Sequence, residues 1–174
     1  MNLLKPSQIE KFDEYKLIII KFCSNQGGHF AQGEIGEKQL TDIAKELGKI
    51  SQLQEYSIIS IIHHHPLEME NPDWYKKDWI ERILGKNHEK TMKLNDADRF
   101  LNWCKEWDVK AILHGHKHIP NIDKVKGINC IGAGSSTGNI LHMEDGKTYI
   151  SFNVIKYDLN QKRPTQAMTY FEIK

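Results

Sequence analysis

Apolar and polar positions along this chain follow two different periods, and the switch between them outlines the elements. Lys16-Leu17-Ile18-Ile19-Ile20-Lys21-Phe22-Cys23 is a continuous apolar run, β-branched at its centre. Such a run predicts a strand covered on both faces. Between Ile35 and Ile50 the apolar residues Leu40, Ile43, Ala44 and Leu47 fall on one helical stripe, with Gly48 placed to end it. Tyr56–Ile62 reads as a second strand, and Asn95 or Asp96 as the N-cap of a second helix through Phe100, Leu101, Cys104 and Trp107, with Trp107 in the core. Val109–Leu113 is a third strand, followed by β-like segments at Ile128–Ala133, Tyr149–Tyr157 and Gln166–Ile173. The middle one sets Ile150, Phe152, Val154 and Ile155 against Ser151, Asn153 and Lys156, the alternation of a sheet with one face covered. The order predicts an α/β fold, a layered mixed β-sheet with flanking helices, in a single domain over residues 1–174. Residues 1–15 are weakly defined, with a short helical turn expected at Pro6–Glu10. Residues 67–94 form a long connection with a helix expected around Asp78–Leu84, and a connection of that length reads as a functional loop or lid. Its Trp74, Tyr75 and Trp79, with Lys76 and Lys77, would either face a substrate or pack beneath the loop.

Composition narrows the partners. Lys and Arg number 24 against 23 Asp and Glu, a net charge of +1, so a dedicated polyanion binder is not expected and nucleic acid is not indicated. Cys23, Cys104 and Cys130 are odd in number and widely spaced, the usage of reduced thiols in an intracellular protein. The longest apolar run is too short to cross a bilayer and Met1–Tyr15 is too polar for a signal peptide, so no membrane partner and a cytoplasmic location are expected.

The histidines change the picture from fold to chemistry. The strand Val109–Leu113 runs into His114-Gly115-His116-Lys117-His118, and Tyr56–Ile62 runs into His63-His64-His65-Pro66. Alternate residues of an extended backbone project to one side, so His116 and His118 can reach one small volume, and Gly115 lets the backbone turn close to whatever is bound. Neutral imidazole is a common ligand for zinc, manganese and iron. One histidine near a strand end is ordinary, but six of the nine in two such places point to one site at the edge of a sheet. On the residues alone, His63, His64 and His65 are equivalent, and His114 either borders the site or is simply buried. His29 and His142 read as plain loop residues, and a tight turn accounts for Ser135 and Ser136 as well as a place near the site does.

His64-His65-Pro66 and Gly115-His116-Lys117-His118, in that order after two strands, resemble the H-[HY]-P and G-H-x-H motifs of the calcineurin-like metallophosphoesterase superfamily, specifically its C-terminal half. Gly33–Leu40 resembles the segment opening the helix before the first motif, and Leu94–Ala97 through Ile112 the helix and strand before the second. Gly132–Ser136 resembles the strand and loop after that second motif, so the resemblance spans about residues 16–157. It implies the second half of a four-layer α/β/β/α sandwich and hydrolysis of a phosphomonoester or phosphodiester by a metal-activated hydroxide. By position, His64 and His116 would bind one divalent ion (Mn, Zn or Fe) and His118 a second, with His65, His114, Gly115 and Ser135 lining the site or facing substrate. The family's D-x-H, G-D-x-x-D and G-N-H-[DE] motifs do not occur; Asn87-His88-Glu89 stands on the wrong side of the first histidine motif and reads as a solvated loop. At most one ion is therefore expected here, and the chain alone is expected to be incomplete or inactive. The alternative is a non-catalytic remnant or subunit that keeps the fold. A lone half would expose an apolar sheet face, so an N-terminal-half partner or a second copy of the chain is expected to cover it.

Overall fold

The computed structural model describes residues 7–25, 32–67, 94–117, 119–134, 141–142, 148–158, 160–161 and 163–173. Nine strands and two α-helices run through them: β1 (Ser7–Phe12), β2 (Leu17–Phe22), α1 (Glu37–Leu47), β3 (Ser57–Ile61), α2 (Ala97–Glu106), β4 (Val109–His114), β5 (Asn121–Val125), β6 (Ile128–Gly132), β7 (Leu141–His142), β8 (Thr148–Asp158) and β9 (Arg163–Ile173). The fold is mixed α/β. A six-stranded sheet has the order β1-β2-β3-β4-β6-β5, and a three-stranded sheet the order β7-β8-β9. In the larger sheet β2, β3, β4 and β6 are mutually parallel, while β1 and β5 close the two edges antiparallel. Parallel neighbours need crossovers; α1 lies in the connection from β2 to β3 and α2 in that from β3 to β4.

The core follows from those stripes. Ile18, Ile20 and Phe22 on β2 are buried with Leu40, Ile43 and Leu47 of α1 and Phe100, Leu101 and Cys104 of α2 in one cluster. Phe22 fastens β2 to α2, its ring edge-on to Phe100 at 5.3 Å and to Trp103 at 5.4 Å between centroids. Trp103 is buried, and Trp107, the C-cap of α2, packs half-buried against the core and stacks on Trp103 at 5.9 Å.

Some expectations are corrected for tertiary reasons. The helical turn expected at Pro6–Glu10 is strand from Ser7 onward: β1 pairs with β2 along its whole length, and Ile9 packs on the core. Long-range pairing overrides a weak local cap signal. Asp96 does occupy the N-cap position of α2 but makes no side-chain cap there. Its carboxylate instead accepts the Ile35 N–H at 3.1 Å and the Gly36 N–H at 2.9 Å, at the start of α1. Gly36, the N-cap of α1, has no side chain to offer, so a residue from the next crossover supplies the cap and a negative charge at the positive helix end. Strand β5 had no apolar run to announce it, because Ile122, Asp123 and Lys124 are exposed on an edge.

In β8 the alternation departs from the simple reading at Phe152, Asn153 and Val154, while Ile155, half-buried, and Lys156, exposed, follow it. Phe152 and Val154 point outward, 45% and 41% exposed, while Asn153, Ile155 and Tyr157 are half-buried. Asn153 faces inward because its Nδ2 donates to the Gly132 carbonyl at the end of β6 (2.7 Å), which seats the hairpin on the larger sheet. The Tyr157 hydroxyl lies beside Ser57 of β3, and burial pushes its pKa up. On the larger sheet Ser57, Ile59, Ala111 and Ile131 are all buried; among the described residues the exposed large apolar side chains are Phe12, Tyr15 and Ile122 toward the edges of that sheet and Phe152 and Val154 on β8. All three cysteines are free thiols; burial pushes Cys104 well up and Cys130 up to about 12. Among the described residues no helix is long and apolar enough to cross a membrane. The expected helix at Asp78–Leu84, the lid aromatics and lysines, His29 and Asn87–Glu89 lie outside the described residues.

Candidate functional site

Strands β3 and β4 are parallel neighbours, with Ile61 opposite Leu113, so both end at the same edge of the sheet. Their pairing continues past the strand ends: Ile62 N–H donates to the Leu113 carbonyl at 3.0 Å and Gly115 N–H to the His63 carbonyl at 3.1 Å. The two histidine segments are thus locked in register where they leave the sheet. Beyond that point the strand alternation stops. His116 has φ 70, and Lys117 N–H bonds back to the Gly115 carbonyl at 2.9 Å. A left-handed residue in a tight turn, and not the pleat of a strand, aims the His116 ring. His118 and Ser135 lie outside the described residues.

Three imidazoles gather there. Ring centroids are 4.5 Å apart for His64 and His116, 4.8 Å for His63 and His116, and 5.1 Å for His63 and His64. His116 Nδ1 is 2.9 Å from His63 Nε2. His64 Nδ1 is 2.8 Å from the Ser24 hydroxyl, in a buried pair. Behind the cluster, Gly33 leaves no room for a side chain: a Cβ there would overlap His64 at Cγ and Nδ1 and lie 2.8 Å from the Ser24 carbonyl oxygen. On Gly115 a Cβ would meet nothing nearer than the His63 carbonyl oxygen at 3.9 Å. The close approach that needs a glycine is therefore made by Gly33.

Backbone bonds hold this wall together. Glu34 N–H donates to the Ser24 carbonyl (2.9 Å), Asn95 N–H to Gly33 (2.8 Å) and Leu94 N–H to His65 (3.2 Å). Gln39, buried on α1, treats Cys23 as a strand neighbour would: its Oε1 accepts the Cys23 N–H at 2.8 Å and its Nε2 donates to the Cys23 carbonyl at 2.9 Å and to Ile35 at 2.9 Å. A side-chain amide thereby satisfies a peptide unit for which β3 offers no partner beyond the sheet edge.

The remaining histidines are different in kind. His65 and His114 are buried. Burial pushes His65 down to about 3, helped by the positive fields of His114 and Lys117, and His114 down to about 4 against opposing pulls from the Gly115 backbone and Asp123. Both are neutral rings at ordinary pH. Neither His65 ring nitrogen has a hydrogen-bond partner among the described residues. His114 is walled by Gly132, where a Cβ would come within 3.0 Å of its Cε1. Of three consecutive histidines equal by sequence, His63 and His64 join His116 while His65 turns into the protein.

The donor set suits a divalent ion of the zinc, manganese or iron type. His64 and His116 each engage Nδ1 with a protein neighbour, so that in the Nδ1–H tautomer Nε2 is the nitrogen for a ligand. Among the described residues, however, no three His, Cys, Asp or Glu side chains converge closely enough to hold an ion by themselves. His63 illustrates why, since its Nε2 is spent on His116. Sequence reasoning missed Ser24 and Gly33; the available signal was that Ser24 directly follows the β2 run and so sits at the same sheet edge as the histidines.

No protein-family model and no curated protein matches the sequence. Among solved structures the chain is similar to a phosphatase from Mycoplasma pneumoniae (11% identity, TM-score 0.43), with 99% of this chain and 58% of that one covered. It is similar to a hypothetical protein from Thermus thermophilus (10% identity, TM-score 0.46, 98% and 62% covered). A third is the anchor protein of the inner membrane complex of Plasmodium (14% identity, TM-score 0.42, 97% and 53% covered). The chain thus spans between 53% and 62% of the length of these three structures. Likenesses this distant carry no statement about activity.

Proposed function

We propose that this chain is a unit of a metal-dependent phosphoesterase that hydrolyses a phosphomonoester or phosphodiester. The observation that carries the reading is the delivery of His64 and His116 by two parallel strands to one edge of the sheet, with ring centroids 4.5 Å apart. The order of the H-[HY]-P and G-H-x-H motifs supports it. His64 and His116 would hold one ion, manganese, zinc or iron, through Nε2, and His118 would serve a second. Such an ion supplies Lewis acidity and lowers the pKa of water from ~15.7 toward ~7. The chain's own contribution is rigid placement, with Gly33 and Ser24 behind His64 and His63 beside His116. The missing carboxylate ligands would come from an N-terminal-half-like partner or a second copy of the chain, docked over the outward Phe152 and Val154 of β8. A cytoplasmic setting suits the three free thiols.

The test is the metal content of the purified chain by elemental mass spectrometry, with a His116→Ala/His118→Ala variant as control. Near-stoichiometric metal that is lost in the variant, together with manganese-dependent cleavage of an aryl phosphodiester, is the expected result. Metal no higher than in the variant would sink the reading. Metal without turnover would select a second one, a non-catalytic subunit or remnant, which the absence of a convergent ligand trio among the described residues favours.

A further inference from the structure

We infer that Ser24 is a positioning residue that holds the His64 imidazole in its Nδ1–H form and so presents Nε2 to a divalent cation. The inference rests on the metal-centre reading for its purpose, but not for its geometry. Ser24 is 1% exposed, so no solvent competes for its hydroxyl. That hydroxyl oxygen stands 3.3 Å from the His64 backbone nitrogen and 2.8 Å from Nδ1. A backbone N–H can only donate, so it occupies one of the two acceptor positions of the oxygen. The second position can accept from Nδ1–H when the hydroxyl's own proton is turned away from the ring. In the reverse arrangement the serine donates to Nδ1, the ring proton moves to Nε2, and that nitrogen becomes a donor instead of a ligand.

Both partners are prevented from moving apart. The His64 ring packs close to Gly33, where even a methyl group would overlap Cγ and Nδ1. Ser24 is fixed from its two sides, by the Gln39 amide clasping Cys23 and by the Glu34 N–H on its own carbonyl. His116 is held differently, through the exposed side chain of His63. The serine is thus the buried, rigid half of the arrangement. Groups that orient a metal-binding imidazole through its other nitrogen typically carry about tenfold to hundredfold in metal affinity.

Nitrogen NMR of histidine-labelled, metal-free protein near neutral pH reads the tautomer directly. His64 is expected as Nδ1–H in the unaltered chain, and as Nε2–H or a mixture in Ser24→Ala. Ser24→Thr, which keeps the hydroxyl, restores the Nδ1–H signal. Zinc titration calorimetry should show Ser24→Ala weakened by about tenfold or more, with Ser24→Thr closer to the unaltered chain. An Nε2–H tautomer at His64 in the unaltered protein overturns the inference whatever the variants do, as does a Ser24→Ala protein with unchanged tautomer and zinc affinity. If the unaltered chain takes up no zinc, the metal reading fails, and the tautomer alone decides the role of Ser24.

Discussion

The two ends of the parallel strands handle polarity in opposite ways. At the carboxyl ends of β3 and β4, histidines are crowded ring against ring, with His64, His65 and His114 withdrawn from water. At the amino ends of β4 and β6, Lys105, Lys110, Lys124 and Lys126 line a cleft of about 560 Å³ with Asp108 and Gln161. There the charges stay solvated and meet in exposed pairs, Lys110 with Asp108 at 2.5 Å and Lys126 with Asp98 at 3.8 Å. Exposed pairs contribute ~0–1 kcal/mol, whereas a polar ring taken out of water depends on every neighbour. Charge density is therefore a poor guide to where this molecule is specialised. Crowding and desolvation are better ones, and they select the carboxyl edge, where open α/β sheets place their ligands.

The sharpest way to break the contrast is a single methyl group. Gly33→Ala drives a Cβ into the His64 ring and toward the Ser24 carbonyl, and should cost about 3 kcal/mol or more of stability in urea unfolding. Gly115→Ala, with open space around it, should change stability by less than about 1 kcal/mol. Equal losses in the two variants would mean that Gly33 is not the close contact described.

Acid separates the ends next. The folded-state values of His65 and His114, about 3 and about 4, lie below the ordinary 6.5, so the unfolded chain binds more protons between those limits. Their contribution is complete above pH 6.5 and is lost as pH falls, by up to about 1.4 kcal/mol per pH unit for each ring, until the folded rings themselves protonate. Urea midpoints measured downward from neutral pH should show that slope. A flat profile between pH 7 and pH 5 would argue that the rings are solvated. The smallest effect belongs to the other end: Lys105→Gln/Lys124→Gln should shift stability within about 0.5 kcal/mol and leave the acid slope unchanged.

How much of this could be read from residues alone depends on the range of the force involved. Strands β2, β3 and β4 and both helices were legible because burial imprints its period locally, and the histidine segments were legible because they end those strands. Strand β1 was not, since its pattern makes sense only opposite β2. Asp96 looked like a cap for its own helix and caps another. The division of His63, His64 and His65 into two ring neighbours of His116 and one buried residue hangs on where β3 ends and on Gly33 arriving from a distant turn. Neither is encoded within a few residues of the histidines.

The bond from Leu94 N–H to the His65 carbonyl, with the bridge between Gly33 and Leu94, means that the chain departs after Leu67 and returns almost where it left. The frame thus behaves like a socket beside the histidines. Both links are made by backbone atoms, so the two sides of the wall beside the histidine edge are joined whatever side chains stand at positions 65 and 94.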